Sequence, residues 1–412
     1  MAGGRVSRRR VMLLIPNVDF GGAQRSIARL SEVLSRDNDV YFCAFNMEGD
    51  PGFKHAGVRL DLDVPGGRDL PEKARMFARR VARVRSLKRQ HRIDVCISFL
   101  EGADYVNVLS RQGERVVLSI RGSKLHDAEI AGWMGALRRR VLIPGAFSLA
   151  DHVVTVTEGL RNELVHHFGV DPARITTIHN YFDTAAIARQ ADAPLDPVFL
   201  PVFAGPTVVN VGRLHVGKGY EPLLQVYARV RARVPCRLVL VGDGMLRDPL
   251  LALCAQLGLS AWHPWGDVPM HDRHDVYFLG YQRAPYPFLR RATVFAFPSF
   301  HEGFSNSLAE AMACGVPVVA TDCPTGPREL LAPGTPENFA LTTAEDTGCG
   351  VLLPNLGTGD TEGAQRVWED VLVALLQDPA TRERYRQAGL ARMQDFDLSR
   401  MAPAWARVVE GG

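Results

Sequence analysis

Short runs of valine, isoleucine and leucine alternate with stretches of helical periodicity along almost the whole chain, in two sets separated by a proline-rich interval. A strand covered by helices on both faces reads as continuously apolar, so the pattern predicts parallel sheets in an α/β protein. The first set places strands at Val11 to Pro16, Val40 to Asn46, Val95 to Phe99, Val116 to Ile120, His152 to Val156 and Ile175 to Ile178. The second places them at Thr207 to Val211, Arg237 to Val241, Val276 to Leu279, Val294 to Phe297, Val316 to Thr321 and Gly350 to Leu353. Residues 185–206, with four prolines and no strong periodicity, read as an interdomain connection. The predicted organisation is a first domain over 1–184, a linker over 185–206, a second domain over 207–385 and a segment over 386–412. Its final helix, within Met393 to Val409, is expected to cross back to the first domain. Two such domains in tandem leave a cleft between them, and ligands of open α/β sheets bind beyond the carboxyl ends of strands.

A length of 412 residues suits two cores of about 200 residues each. No apolar run approaches the roughly 20 residues of a membrane span. Arg5, Arg8, Arg9 and Arg10 before Val11–Ile15 imitate a signal peptide, but the apolar run is short and reads as a first buried strand. Seven cysteines without a C-x-x-C pair read as reduced thiols and point to the cytoplasm. Net charge is +3, yet residues 1–182 hold 28 basic and 20 acidic side chains. That asymmetry suggests an acidic partner such as a membrane surface, or solvated helix faces. No aromatic-stacking or groove-reading motif accompanies it, so nucleic acid is not expected.

The loops after the strands carry the candidate chemistry. Gly21 and Gly22 follow the first strand and open a helix, where a backbone can approach an anion or simply turn tightly. Gly212 to Tyr220 holds Arg213 and Lys218 five residues apart in a glycine-rich loop, able to clamp a diphosphate or to stay solvated. After the strand Val294 to Phe297 come Glu302, Phe304, Ser305 and Asn306, then Glu310 inside a helix that Ser305 or Asn306 can cap and Gly315 can end. Its amides form an anion site, and the two carboxylates can reach separate parts of an extended, hydroxyl-bearing ligand. Glu302 could also steady positive charge at an anomeric carbon.

The run Glu302 to Glu310, a glutamate pair separated by seven residues, resembles the signature of glycosyltransferase family 4. Val211 to Leu214 with Lys218-Gly219 resembles that family's phosphate loop. Gly21-Gly22, Val154 to Gly159, Thr177 to Asn180, Phe278 to Tyr281 and Gly350 to Pro354 follow in the family's order. The resemblance implies a GT-B fold, two Rossmann-like doubly wound domains facing across a cleft, and a retaining glycosyltransferase that needs no metal or other cofactor. It further implies that Arg213 and Lys218 hold the donor diphosphate, with Gly22 and the amides near Phe304, Ser305 and Asn306 close by. Glu302 would contact the donor sugar, Glu310 the ribose, and the backbone near Tyr281 the base. The run Ala320 to Leu331 is similar to bacterial members that use UDP-hexoses or UDP-N-acetylhexosamines in surface-glycan assembly on glycan or lipid-linked acceptors. A turn of Pro324, Gly326 and Pro327 could set Arg328 beside the diphosphate or base, or Arg328 could pair locally.

Two departures stand out. The family's histidine after the strand Val117 to Ile120 is replaced by Arg121, with His126 five residues on; either is a candidate contact to sugar or acceptor. Residues 260–275 lengthen a connection, and His263, His271 and His274 with Asp267, Asp272 and Asp275 read as a surface excursion rather than a closed metal site. The stretch Glu72 to Arg92 sets Met76, Val81, Val84 and Leu87 among nine Lys or Arg residues, and Trp133, Met134 and Leu137 precede Arg138, Arg139 and Arg140. Each reads either as a helix lying on anionic lipid, at the inner face of the cytoplasmic membrane, or as a helix packed on the first sheet. Rival functions on the same architecture are an epimerase, a phosphorylase and a silent nucleotide-sugar-binding protein; intact Arg213, Lys218, Glu302 and Glu310 argue against the last.

Overall fold

The computed structural model describes residues 8–19, 21–47, 53–125, 132–267, 269–336 and 339–411. The chain divides into two units, Met1–Asn180 with Ser399–Gly412, and Tyr181–Leu398.

The first unit is built on β1 (Arg10–Asn17), β2 (Asp39–Asn46), β3 (Val58–Asp61), β4 (Val95–Phe99), β5 (Arg115–Ile120), β6 (His152–Thr155) and β7 (Ile175–Thr177). All pair in parallel, in the order β3-β2-β1-β4-β5-β6-β7. Leu13 lies between Phe42 and Ile97, all three buried, as expected of a strand covered on both faces. The winding reverses between β1 and β4, which is where an open α/β sheet offers a ligand its crevice.

The helix Leu70–Gln90 starts on a reciprocal cap: the Asp69 carboxylate accepts from the Glu72 amide at 2.8 Å, and Glu72 accepts from the Arg68 amide at 2.7 Å. Its apolar residues do not await lipid. Met76, Val84 and Leu87 are buried in the first unit's core, with Val81 packed against it. Lys88 is buried too, paired with Glu114 at 2.6 Å and donating to the carbonyl and side chain of Asn107. Removing one partner would strand a buried charge, at a cost of about 3–5 kcal/mol.

The helix Leu398–Glu410 supplies Trp405, Val408 and Val409 as buried side chains, and the Arg9 guanidinium donates to the Glu410 carbonyl at 3.1 Å. This helix belongs to the first unit, whereas residues 386–393 lie in the helix Pro379–Met393 of the second unit.

The second unit holds β8 (Thr207–Val211), β9 (Arg237–Val241), β10 (Ala261–Trp262), β11 (Val276–Phe278), β12 (Val294–Phe297), β13 (Val318–Thr321), β14 (Glu345–Asp346) and β15 (Val351–Leu353). The order is β10-β11-β9-β8-β12-β13-β15-β14, parallel except for β14 against β15. Here the winding reverses between β8 and β12.

Residues 185–206 are not a free connection. They continue the helix Thr184–Ala191 and form a 3-10 segment, Pro197–Phe203, whose Phe199 and Phe203 rings meet Phe288 of the same unit. Of the four prolines that masked any periodicity, Pro197 starts that segment and Pro201 lies inside it. The excursion 260–275 contributes the edge strand β10 and packs Trp265 against the second core.

Candidate active site

The reversal of the second sheet brings together the loops leaving β8 and β12. The amide of Phe300 donates to the Gly217 carbonyl at 2.9 Å. Gly219 has φ 67°, and a Cβ there would lie 2.1 Å from the Pro298 carbonyl oxygen, so the close approach of the two loops requires glycine twice over. Lys218, on the first loop, reaches Glu302, on the second: Nζ and Oε1 are 2.5 Å apart, with the side chains 32% and 11% exposed. Arg213 is exposed on the same loop as Lys218. Burial, with the Glu302 carboxylate next in effect, pushes the Tyr220 hydroxyl and the Cys323 thiol up. Tyr220 spends its hydroxyl on the Gly212 carbonyl at 2.9 Å, which leaves Glu302 to Lys218.

The loop after β12 rests on the turn around Pro324. The Glu302 amide donates to the Pro324 carbonyl at 3.2 Å, and the Thr325 hydroxyl donates to the Glu302 carbonyl. Gly326, at φ 95°, passes so close to Phe304 and Ser305 that a Cβ would lie 2.8 Å from the Ser305 Oγ. That turn supports the glutamate loop from below. Arg328 does not extend from it toward a ligand: its buried guanidinium is held by Asp322, just past β13, at 2.7 Å and by Glu345 of β14 at 2.8 Å.

Phe304 is buried between Phe182 and Phe396, with ring centroids at 6.2 and 5.6 Å. Ser305 occupies the N-cap position of the helix Asn306–Ala313, but it does not cap it as expected. Its backbone is left-handed at φ 65°, its side chain accepts no capping bond, and its hydroxyl is buried without a hydrogen-bond partner among the described residues. A non-glycine residue held in that region is strained, and strain of this kind gathers at functional sites. The amides that open the helix are left without a side-chain cap and favour an anion. Glu310, one turn on, is 3% exposed and accepts from the Tyr286 hydroxyl at 3.2 Å. Tyr281 is exposed just past Gly280, whose carbonyl accepts from the Gly242 amide at 2.8 Å.

In the first unit Gly21 precedes the helix Gly22–Leu34 in an extended conformation, and Gln24 donates to Asn17 at 2.7 Å. Arg121 leaves the end of β5, donates to the Asn180 side chain at 2.8 Å, and lies over the Phe99 and Trp405 rings at 4.5 and 5.9 Å. The same Asn180 oxygen accepts from Ser26 at 2.9 Å. Arg121 therefore ties the ends of β4 and β5 to the last helix. His126 lies outside the described residues. Among the described residues no three His, Cys, Asp or Glu side chains gather as metal ligands.

Comparison with known proteins agrees with this architecture. Residues 20–186 match the family described as Glycosyltransferase Family 4, and residues 205–349 the one described as Glycosyl transferases group 1. The chain is 26% identical over 396 residues to the N-acetylgalactosamine-N,N'-diacetylbacillosaminyl-diphospho-undecaprenol 4-alpha-N-acetylgalactosaminyltransferase of Campylobacter jejuni, covering 95% of this chain and 96% of that one. It is 27% identical over 276 residues to an uncharacterized glycosyltransferase of Methanocaldococcus jannaschii, spanning 64% of each chain. The crystal structure of Anabaena HepE in complex with UDP and glucose superposes with a TM-score of 0.71 at 19% identity, covering 98% of this chain and 100% of that one. The two parallel-sheet α/β units have the GT-B fold, and the family matches and relatives make the chain a glycosyltransferase. The chain belongs to the glycosyltransferases that join a Family 4 domain to a group 1 domain.

Proposed function

We propose that the enzyme transfers a hexose or N-acetylhexosamine from a UDP-sugar, with retention of anomeric configuration, to a glycan or lipid-linked acceptor in polysaccharide, lipopolysaccharide or other glycoconjugate assembly. The observation that carries this is the Lys218–Glu302 pair at the reversal of the second sheet, beside Arg213 and an uncapped helix start. The cations and amides take the diphosphate, Glu302 the donor sugar, Glu310 the ribose, and the backbone at Tyr281 the base. As the bond from the anomeric carbon to the diphosphate oxygen breaks, the acceptor oxygen bonds on the same face and its proton passes to the departing diphosphate. The protein supplies position and charge. The first unit takes the acceptor. A relative named for a diphospho-undecaprenol acceptor and a fold neighbour crystallised with UDP and glucose support the choice of substrates. A panel of UDP-hexoses and UDP-N-acetylhexosamines, assayed for UDP release with and without saccharide or lipid-linked acceptors, tests it. Acceptor-stimulated release from at least one donor is expected; no release and no UDP binding would end the proposal.

Catalysis should survive chelation, because Arg213, Lys218 and the helix amides occupy the role of a divalent ion at the leaving group. Activity in excess EDTA equal to that in magnesium or manganese is the expected result. Loss in EDTA, restored by either ion, contradicts it.

Reversible contact of the first unit with an anionic membrane on its cytoplasmic side is a further part of the proposal. No helix among the described residues is long and apolar enough to cross a membrane. Lys73, Arg75, Arg79 and Arg83 are exposed on the helix Leu70–Gln90, and Arg140 is exposed near Leu137, Val141 and Leu142, themselves among the exposed apolar side chains. Each cation near such a surface contributes about 1 kcal/mol at most, screened over about 8 Å at physiological salt. Arg80 and Arg138 are bonded inward, to the Val64 carbonyl and to Glu101, so the informative variant carries Gln at Arg79, Arg83, Arg139 and Arg140. Wild type should sediment with anionic vesicles at low salt and be released by high salt. Equal recovery of both proteins in the supernatant at low salt returns those arginines to simple solvation.

A further inference from the structure

The reversal of the first sheet also carries an arrangement that donor binding does not use. Leu100, leaving β4, has φ 73° and ψ 145°, a region almost reserved for glycine. It launches the helix Glu101–Leu109, placing Glu101 at the strand's carboxyl end. The Glu101 Oε1 accepts from the Tyr105 hydroxyl at 2.6 Å and from Arg138 at 3.0 Å. Arg138 begins a π-helical turn, Arg138–Leu142, a form with one extra residue per hydrogen-bonded turn and frequent at functional sites. Lys124 arrives from the loop after β5, which Glu163 secures by accepting from the Ser123 hydroxyl and the Lys124 amide, both at 2.6 Å. Among the described residues the Glu101 Oε2 meets Lys124, at 3.5 Å. That is long for a charge-assisted bond and leaves the oxygen able to accept further O–H donors.

Resting on the assignment of the acceptor to the first unit, we infer that Glu101, Lys124 and Arg138 form a subsite for a hydroxyl-bearing saccharide, with Glu101 accepting from acceptor hydroxyls and the cations donating to its oxygens. A carboxylate at the centre suits a sugar and repels a phosphate. Burial raises the Glu101 carboxyl, but Lys124, the Tyr105 hydroxyl and Arg138 together outweigh it and hold the group below its usual range, keeping it an acceptor at neutral pH. Two unusual backbone segments and a third loop with its own carboxylate brace converge on this one group. A solvated ion pair would need none of them.

The test uses the full chain with methyl α-glucoside and methyl N-acetyl-α-galactosaminide as probes, read by saturation-transfer NMR, and UDP binding read in parallel by calorimetry. Glu101→Gln, nearly isosteric, and Lys124→Met should each weaken binding of at least one saccharide about tenfold, the loss of a charge-assisted hydrogen bond, while UDP affinity stays at the wild-type value. Wild-type saccharide affinity in both folded variants overturns the subsite. So does tighter binding of inorganic pyrophosphate by Glu101→Gln with no change for saccharides, which would mark an anion site. Failure of the wild type to bind UDP is a separate result, counting against the proposed donor and not against this subsite.

Discussion

Alanine at Lys218 or Arg213 is expected to lower donor turnover about a hundredfold or more, as loss of a preorganised contact to developing charge typically does. Lys218 carries the sharper expectation. It is fixed by Glu302 at 2.5 Å and by a loop that Gly219 and Phe300 hold against the next strand's exit. Its ammonium is therefore already in place when charge grows on the leaving diphosphate. Steady-state UDP release, with thermal unfolding to confirm a native fold, measures it. Near wild-type rates in both folded variants would remove the phosphate-binding role from this loop.

The second large effect should separate the two glutamates. Glu302→Gln keeps the shape of the side chain but discards the charge that pairs with Lys218 and is proposed to face the sugar, so kcat should fall much more than UDP affinity. Glu310→Gln acts elsewhere. Glu310 is buried beside Tyr286, and its proposed partner, the ribose, is bound equally before and during the reaction, so UDP affinity should fall. Calorimetry with UDP and kinetics on both variants decide the matter. Loss of UDP affinity in Glu302→Gln with none in Glu310→Gln would reverse the roles.

Strands buried on both faces were legible because their apolar runs have no other use: every strand placed from sequence coincides with an observed one. The strands that escaped are edges. Val58–Asp61 is largely exposed, and Ala261–Trp262 and Glu345–Asp346 have two residues each, too short to leave a pattern. Site residues were legible as types after strands, but not as neighbours: Lys218 and Glu302 are 84 positions apart, and only the reversal between β8 and β12 joins them. The left-handed backbone of Ser305 gave no signal, since serine ahead of a helix reads as a cap. For Arg328 the sequence left a ligand contact and a local pairing both open, because an arginine's partner is set by tertiary structure. Asp322 and Glu345 claim it here. Glu101 and Lys124 were passed over for the same reason, being ordinary charges until the sheet brings their loops together.

The discontinuity of the first unit dictates an order of assembly. Its strands are made before the second unit, yet the helix that buries Trp405 and covers Arg121 is made after it. The second unit, Tyr181–Leu398, has its full sequence before that helix exists. The usual amino-to-carboxyl succession of domain folding is thus inverted between these two: the unit begun before the other is completed after it. Until that helix is made, Arg121 lacks the Trp405 ring and the first unit lacks the buried side chains of Trp405, Val408 and Val409, so the nascent first unit stays incomplete for the whole time that the second unit is being made.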